Sequence, residues 1–147
     1  MVLSFAAAGV ELPKPAQCSR DRSEMKTILL VDDDPPVRTL YGLVLRRNGY
    51  HVIEANSVGA ALNLARKHLP DLILSDIVIP GRDGVSLLRQ IRRDPELMCR
   101  QFVLMTGSPD LFTSHEGIEG ADDFLVKPFS LQVLLNCIEA RFSSAND

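Results

Sequence analysis

The chain has no tryptophan, and aromatic residues make up only 5% of it. That scarcity argues against the stacking platforms on which single-stranded nucleic acids are held. Nor is there an excess of positive charge: 16 Lys and Arg stand against 19 Asp and Glu, for a net charge of −3. The basic residues are scattered, so no basic face for nucleic acid is indicated. No apolar run is long enough to span a bilayer, and residues 1–12, although apolar, lack the basic stretch that opens a secretory leader. Cysteine is sparse as well. Cys18, Cys99 and Cys137 lie far apart, without CxxC or Cys/His spacing, which argues against a structural zinc. The expectation is reduced thiols in a cytoplasmic setting, with Cys137 in a helical apolar pattern as a small core residue.

What is present is a set of short apolar runs, each ending in a polar group. Thr27–Val31 ends at Asp32 and Asp33, Leu72–Ser75 at Asp76, Phe102–Met105 at Thr106 and Gly107, and Phe124–Val126 at Lys127. If the runs are parallel strands, all these groups emerge at the carboxyl edge of one sheet, where open α/β sheets place their ligand sites. Crowded carboxylates repel and stay ionised at a cost unless a cation neutralises them. A divalent-metal site beside a lysine and a hydroxyl suits phosphoryl chemistry.

The length of 147 residues, with 46% hydrophobic and 24% charged, fits one soluble domain around a single core. Residues 1–24, with Pro13, Pro15 and a polar run, read as a disordered N-terminal extension, and residues 25–147 as the folded domain. Within the domain, strands at Thr27–Val31, His51–Glu54, Asp71–Ser75, Gln101–Met105 and Asp123–Val126 alternate with helices. The first helix is expected to be capped by Asp34, with Pro35 at its first position and Val37, Leu40, Tyr41 and Val44 on one face. Ser57 caps a second helix bearing Val58, Ala61, Leu62 and Ala65. Asp83 begins a third, with Val85, Leu88 and Ile91. Ser130 caps a last one carrying Leu131, Leu134, Leu135, Ile138 and Phe142. The fourth helix should be weak, because its segment contains Pro109, Gly117 and Gly120 and few large apolar residues. Short βα connections force a parallel sheet with right-handed crossovers.

The order of these motifs resembles the receiver domain of two-component response regulators, from about Lys26 to Ser143. The resemblance is carried by Asp32-Asp33 in Val-Asp-Asp-Asp-Pro, Asp76 in Leu-Ser-Asp-Ile-Val-Ile-Pro-Gly-Arg-Asp-Gly84, Thr106 in Met-Thr-Gly, and Lys127-Pro128-Phe129. It implies a doubly wound (βα)5, flavodoxin-like α/β fold with strand order 2-1-3-4-5. It also implies that Asp76 is the phospho-acceptor and that Asp32, Asp33, Asp76 and the backbone carbonyl of Val78 hold Mg2+. Lys127 would offset phosphoryl charge, and Thr106 would hydrogen-bond the attached phosphoryl group. Phe124 would be the aromatic switch, acting by packing alone because it lacks a hydroxyl. The Lys127–Pro128 bond is usually cis in such domains. The implied partners are a sensor histidine kinase or histidine phosphotransfer protein as donor and a downstream protein as target. Neither nucleic acid nor membrane is expected, and a homodimer is compatible with the resemblance.

Taken singly, each of these residues has a plainer reading: Asp34 and Asp83 as caps, Thr106 as a turn residue, Phe124 as core, and Lys127 as a solvated strand-end lysine. Their joint order at the right spacing is what carries the signal. Val78 cannot hydrogen-bond a hydrolytic water, so slow self-dephosphorylation is expected. The chain reads as a single-domain regulator that catalyses its own phosphorylation and dephosphorylation. Two other readings stay open. One is a Mg2+-dependent aspartyl-phosphate phosphohydrolase, for which Asp32 and Asp34 have the nucleophile-plus-acid spacing. The other is a phosphorylation-independent interaction module on the same fold, although such modules lack an acidic ligand or the lysine, and this chain lacks neither.

Overall fold

A computed structural model describes residues 25–79, 83–114 and 118–146. The expected N-terminal extension, Pro80 and Gly81 of the acceptor loop, and Gly117 lie outside the described residues. Five parallel strands form one sheet: β1 (Thr27–Val31), β2 (His51–Ala55), β3 (Leu72–Asp76), β4 (Gln101–Thr106) and β5 (Asp123–Val126), in the order β2-β1-β3-β4-β5. Between and after them run α1 (Pro35–Arg47), α2 (Val58–His68), α3 (Gly84–Arg93), α4 (Leu111–Ser114), a 3-10 turn at Ile118–Gly120, and α5 (Leu131–Asn146). The fold is the doubly wound α/β sheet that the sequence implied, with strand ends shifted by a residue at most.

The central strands are apolar runs rather than alternating patterns because both faces of a parallel sheet are covered by helices. Alternate residues of each strand enter two different cores. Leu29, Val31, Ile73, Phe102 and Leu104 pack with Ala61, Leu62, Ala65, Val85, Leu88 and Ile91 of α2 and α3. Ile28, Leu30, Leu72, Leu74, Val103 and Met105 pack on the other side with Tyr41, Leu45, Leu134, Ile138 and Phe142 of α1 and α5. The free thiol of Cys137 sits in this second core and donates to Asp123 Oδ2 at 3.5 Å. Burial first, then the charge and hydrogen bond of Asp123, push that thiol up to about 12.

Several local expectations need correction. Asp34 occupies the N-cap of α1, but its side chain makes no capping hydrogen bond. The two residues after it are Pro35 and Pro36, which remove the donor at the second helical position that a cap would meet. On α1 the buried residues are Tyr41, Gly42 and Leu45, while Leu40 is 46% exposed. Leu131 is exposed as well, being the first residue of α5, ahead of the face at Leu134 and Ile138 that meets the sheet. Ser57 and Asp83 do cap, accepting from Ala60 N at 3.2 Å and Ser86 N at 2.8 Å.

In the fourth crossover, for which the composition suggested a weak helix, the described part of α4 is a single turn. What fixes its far end is Arg92 of α3. It donates from Nε to Gly120 O at 2.9 Å, from Nη1 to Met98 O at 2.9 Å and Arg100 O at 2.6 Å, and from Nη2 to Asp122 Oδ2 at 2.9 Å. That same Asp122 oxygen accepts from Phe102 N at 2.8 Å, joining the entry of β5 to β4.

Candidate functional site

In this sheet the chain leaves β1 for β2 on one side and returns to β3 on the other, so the topological switch point lies at the carboxyl ends of β1 and β3. Asp32 and Asp33 follow β1, and Asp76 ends β3. Thr106 ends β4, and Lys127 follows β5 directly. Parallel pairing thus brings residues 95 positions apart to one edge.

Lys127 joins the acids. Its Nζ donates to Asp76 Oδ2 at 2.8 Å and to Asp32 Oδ2 at 3.1 Å. The other carboxylate oxygens are occupied by backbone: Asp34 N donates to Asp32 Oδ1 at 3.0 Å, and Val78 N to Asp76 Oδ1 at 3.1 Å. Each carboxylate is therefore fixed through both oxygens. Burial works to strip the Lys127 ammonium of its proton. The hydrogen bond and charge of Asp76, with those of Asp32 behind them, outweigh burial and hold the lysine above its usual value. The Asp32 side chain is 1% exposed and that of Asp76 13%, so Asp76 is the more accessible carboxylate. Asp33 is exposed at the mouth.

The remaining expected residues surround this pair. Thr106 is buried; its Oγ1 accepts from Ser108 N at 3.1 Å and its carbonyl from Lys127 N at 2.8 Å. Val78, two residues after Asp76, is 59% exposed. Phe124 lies outward at 38% exposure, edge-on to Phe112 with ring centroids 5.0 Å apart. The Lys127–Pro128 peptide is cis.

The donor set is entirely oxygen. Among the described residues no three His, Cys, Asp or Glu side chains form a ready metal cage. An all-oxygen set fits Mg2+, which keeps several waters and takes one or two carboxylates, better than zinc, which favours His and Cys. Asp32 and Asp76 share one ammonium, and Asp33, next in the chain, is exposed with no side-chain partner among the described residues, so the residues present suit a hard, partly hydrated divalent cation.

Three contacts here were not legible in the sequence. Tyr41 stacks on Phe129 at 5.5 Å between centroids and braces the loop after Lys127. Its hydroxyl is raised above its usual value by burial; Lys127 pulls it down, and Asp32 and Asp76 push it up. Arg38 donates to the carbonyl of Asp32, and Glu54 holds Arg38. The only sequence cue was a charged residue amid the apolar pattern of a helix and another in a short strand.

Residues 28–139 match the response regulator receiver domain family. The phosphate regulon transcriptional regulatory protein PhoB of Pseudomonas aeruginosa is 35% identical over 116 residues, 78% of this chain and 51% of that protein. The chain thus spans about half the length of the curated relatives it matches. A putative response regulator from Chloroflexus aurantiacus is 35% identical, with a TM-score of 0.75, over 82% of this chain and 99% of that one. The response regulator TrrA of Thermotoga maritima, solved in complex with Mg2+ and BeF, is 28% identical with a TM-score of 0.73, over 79% and 98%. No helix among the described residues is long and apolar enough to cross a membrane. The chain belongs to the response regulator receiver domain family of two-component systems.

Proposed function

We propose that this domain accepts a phosphoryl group on Asp76 from a phosphohistidine, with Mg2+, and signals through an altered protein-binding surface. The observation that carries the reading is Lys127 Nζ bonded at once to Asp76 and Asp32, which leaves Asp76 the more open carboxylate. The structure of TrrA in complex with Mg2+ and BeF supports the same cation here.

Asp32, Asp33, Asp76 and the Val78 carbonyl would hold Mg2+, and when bound the ion supplies neutralising charge to the phosphoryl oxygens. The chain's own residues do the rest. An Asp76 carboxylate oxygen attacks phosphorus in line; the new O–P bond forms as the N–P bond to the donor imidazole breaks, and the imidazole leaves. Val78 N–H holds one Asp76 oxygen and orients the carboxylate. Lys127 transfers its hydrogen bond from carboxylate to phosphoryl oxygen as charge develops there. Thr106 Oγ1, now accepting from Ser108 N, turns to donate to the phosphoryl group and draws its loop inward, and Phe124 follows into the space vacated.

A phosphohydrolase acting through Asp32 fits less well, because that carboxylate is buried with both oxygens engaged. Incubation with a small phosphodonor should yield an acyl-phosphate adduct that needs Mg2+, is abolished by chelator and is cleaved by hydroxylamine. An adduct formed equally well with chelator would overturn the reading. A cytoplasmic location goes with the proposal, since histidine-kinase phosphotransfer draws on ATP.

A further inference from the structure

Arg38 and Glu54 form a built cluster beside the two acids at the end of β1. From the first turns of α1, Arg38 donates through Nη1 to the backbone carbonyl of Asp32 at 2.7 Å and through Nε to Glu54 Oε1 at 3.2 Å. Glu54, in β2, pairs through its other oxygen with Arg46 Nη2 at 3.0 Å. Gly42 makes room for this: a Cβ there would lie 3.0 Å from Glu54 Oε2 and 3.1 Å from Arg46 Nη1. The side chains of Arg38 and Glu54 are 19% and 27% exposed, so both are ordered against the protein rather than free in water.

The carbonyl that Arg38 engages belongs to the peptide joining Asp32 to Asp33. The preceding peptide is also tied, since Asp32 N donates to Ala55 O at 3.1 Å. Both peptide planes around Asp32 are therefore referred to β2, one directly and one through Arg38 and Glu54. Asp33 has no side-chain tether among the described residues, so the peptide before it sets where its carboxylate can reach.

We propose that Arg38, keyed by Glu54, is a positioning residue for the divalent cation. It fixes the Asp32–Asp33 peptide so that the Asp33 carboxylate faces the ion. This rests on the reading of Asp32 and Asp33 as cation ligands. A simple tie between helix and strand makes the opposite prediction in one respect. Removing the Arg38 charge from beside an acidic site strengthens divalent binding through electrostatics alone, whereas loss of positioning weakens it.

The test is calorimetric titration of Mg2+ into the unphosphorylated full chain: wild type, Arg38→Met, Glu54→Gln and the double variant, each first checked for cooperative thermal unfolding. Arg38→Met should bind about tenfold more weakly, at the low end for partners one step removed from a metal. Glu54→Gln should bind about threefold more weakly, and should add nothing in the Arg38→Met background, since it acts through Arg38. If Arg38→Met does not fold, Arg38→Lys, which keeps the charge and loses the two-pronged donor, decides, and unchanged affinity there overturns the proposal. Equal or tighter binding by folded Arg38→Met, or a full Glu54 effect in the double variant, also overturns it. A wild type that binds no Mg2+ would bring down the cation reading itself, and with it this proposal.

Discussion

Gly84 is where the fold leaves the acceptor least room. A Cβ there would stand 2.2 Å from the carbonyl oxygen of Asp76, 3.0 Å from its carbonyl carbon and 3.1 Å from Ile77 Cα. Real Cβ atoms essentially never approach below 3.0 Å, so the shortfall is about 0.8 Å, and every atom in the way is backbone. The start of α3 cannot simply back off, because Gly84 N donates to Ile77 O at 2.7 Å. Gly84→Ala must therefore displace the acceptor's own peptide. Overpacking of this kind costs about 1–3 kcal/mol, and a shift of about 1 Å at a reacting group costs on the order of 100-fold in rate. We expect Gly84→Ala to lose about 2 kcal/mol in urea unfolding and to slow phosphorylation by a small donor about 100-fold, followed as adduct against time by intact mass. Gly59→Ala is the control: nothing lies within 4 Å of its Cβ position, on α2. That change should add up to about 1 kcal/mol of helix stability and leave the rate alone. A Gly84→Ala protein as stable as wild type and within about threefold of its rate would refute the reasoning.

Other consequences are more local. Val78→Asn places a hydrogen-bonding side chain beside Asp76, where valine offers none, and should hasten loss of the phosphoryl group; no acceleration in a time course of adduct decay would count against it. Arg92→Met removes four hydrogen bonds from a partly exposed guanidinium and should cost about 2–3 kcal/mol by urea denaturation, with a loss under about 0.5 kcal/mol contradicting the clamp. Cys137 keeps its proton in the folded state up to about 12, while an unfolded thiol releases it above 9.0. The folded state then binds more protons across that window, so this group's contribution to stability is present below pH 9.0 and falls as pH rises toward 12. Cys137→Ala should show a shallower loss of stability than wild type between about pH 8 and about pH 10.5; equal slopes would refute the assignment.

The strands were legible because burial on both faces writes itself as unbroken apolar runs, as in Ile28–Val31 and Leu72–Leu74, whereas their order came only with the family resemblance. The site was legible because parallel strands place whatever follows them on one edge, so Asp32, Asp76, Thr106 and Lys127 could be collected without knowing any contact. The faces of α1 and α5 were less so. Leu40 and Leu131 match the helical period yet stay exposed, since periodicity does not say where the sheet stops covering a helix. At Asp34 the sequence marked the N-cap position but not the missing side-chain bond, since Pro36 lacks one of the two N–H groups such a cap could meet. Arg38 was invisible because its main acceptor is a backbone carbonyl, and no residue pattern encodes that.

The account's central claim is that Asp76 carries the phosphoryl group. Wild type and Asp76→Asn should be incubated with Mg2+ and a small phosphodonor and compared by intact mass, after both are shown to be folded. A single phosphoryl adduct on wild type that is missing from Asp76→Asn is the result the account predicts. The same adduct persisting on Asp76→Asn would contradict it and move the nucleophile elsewhere, to Asp32 first.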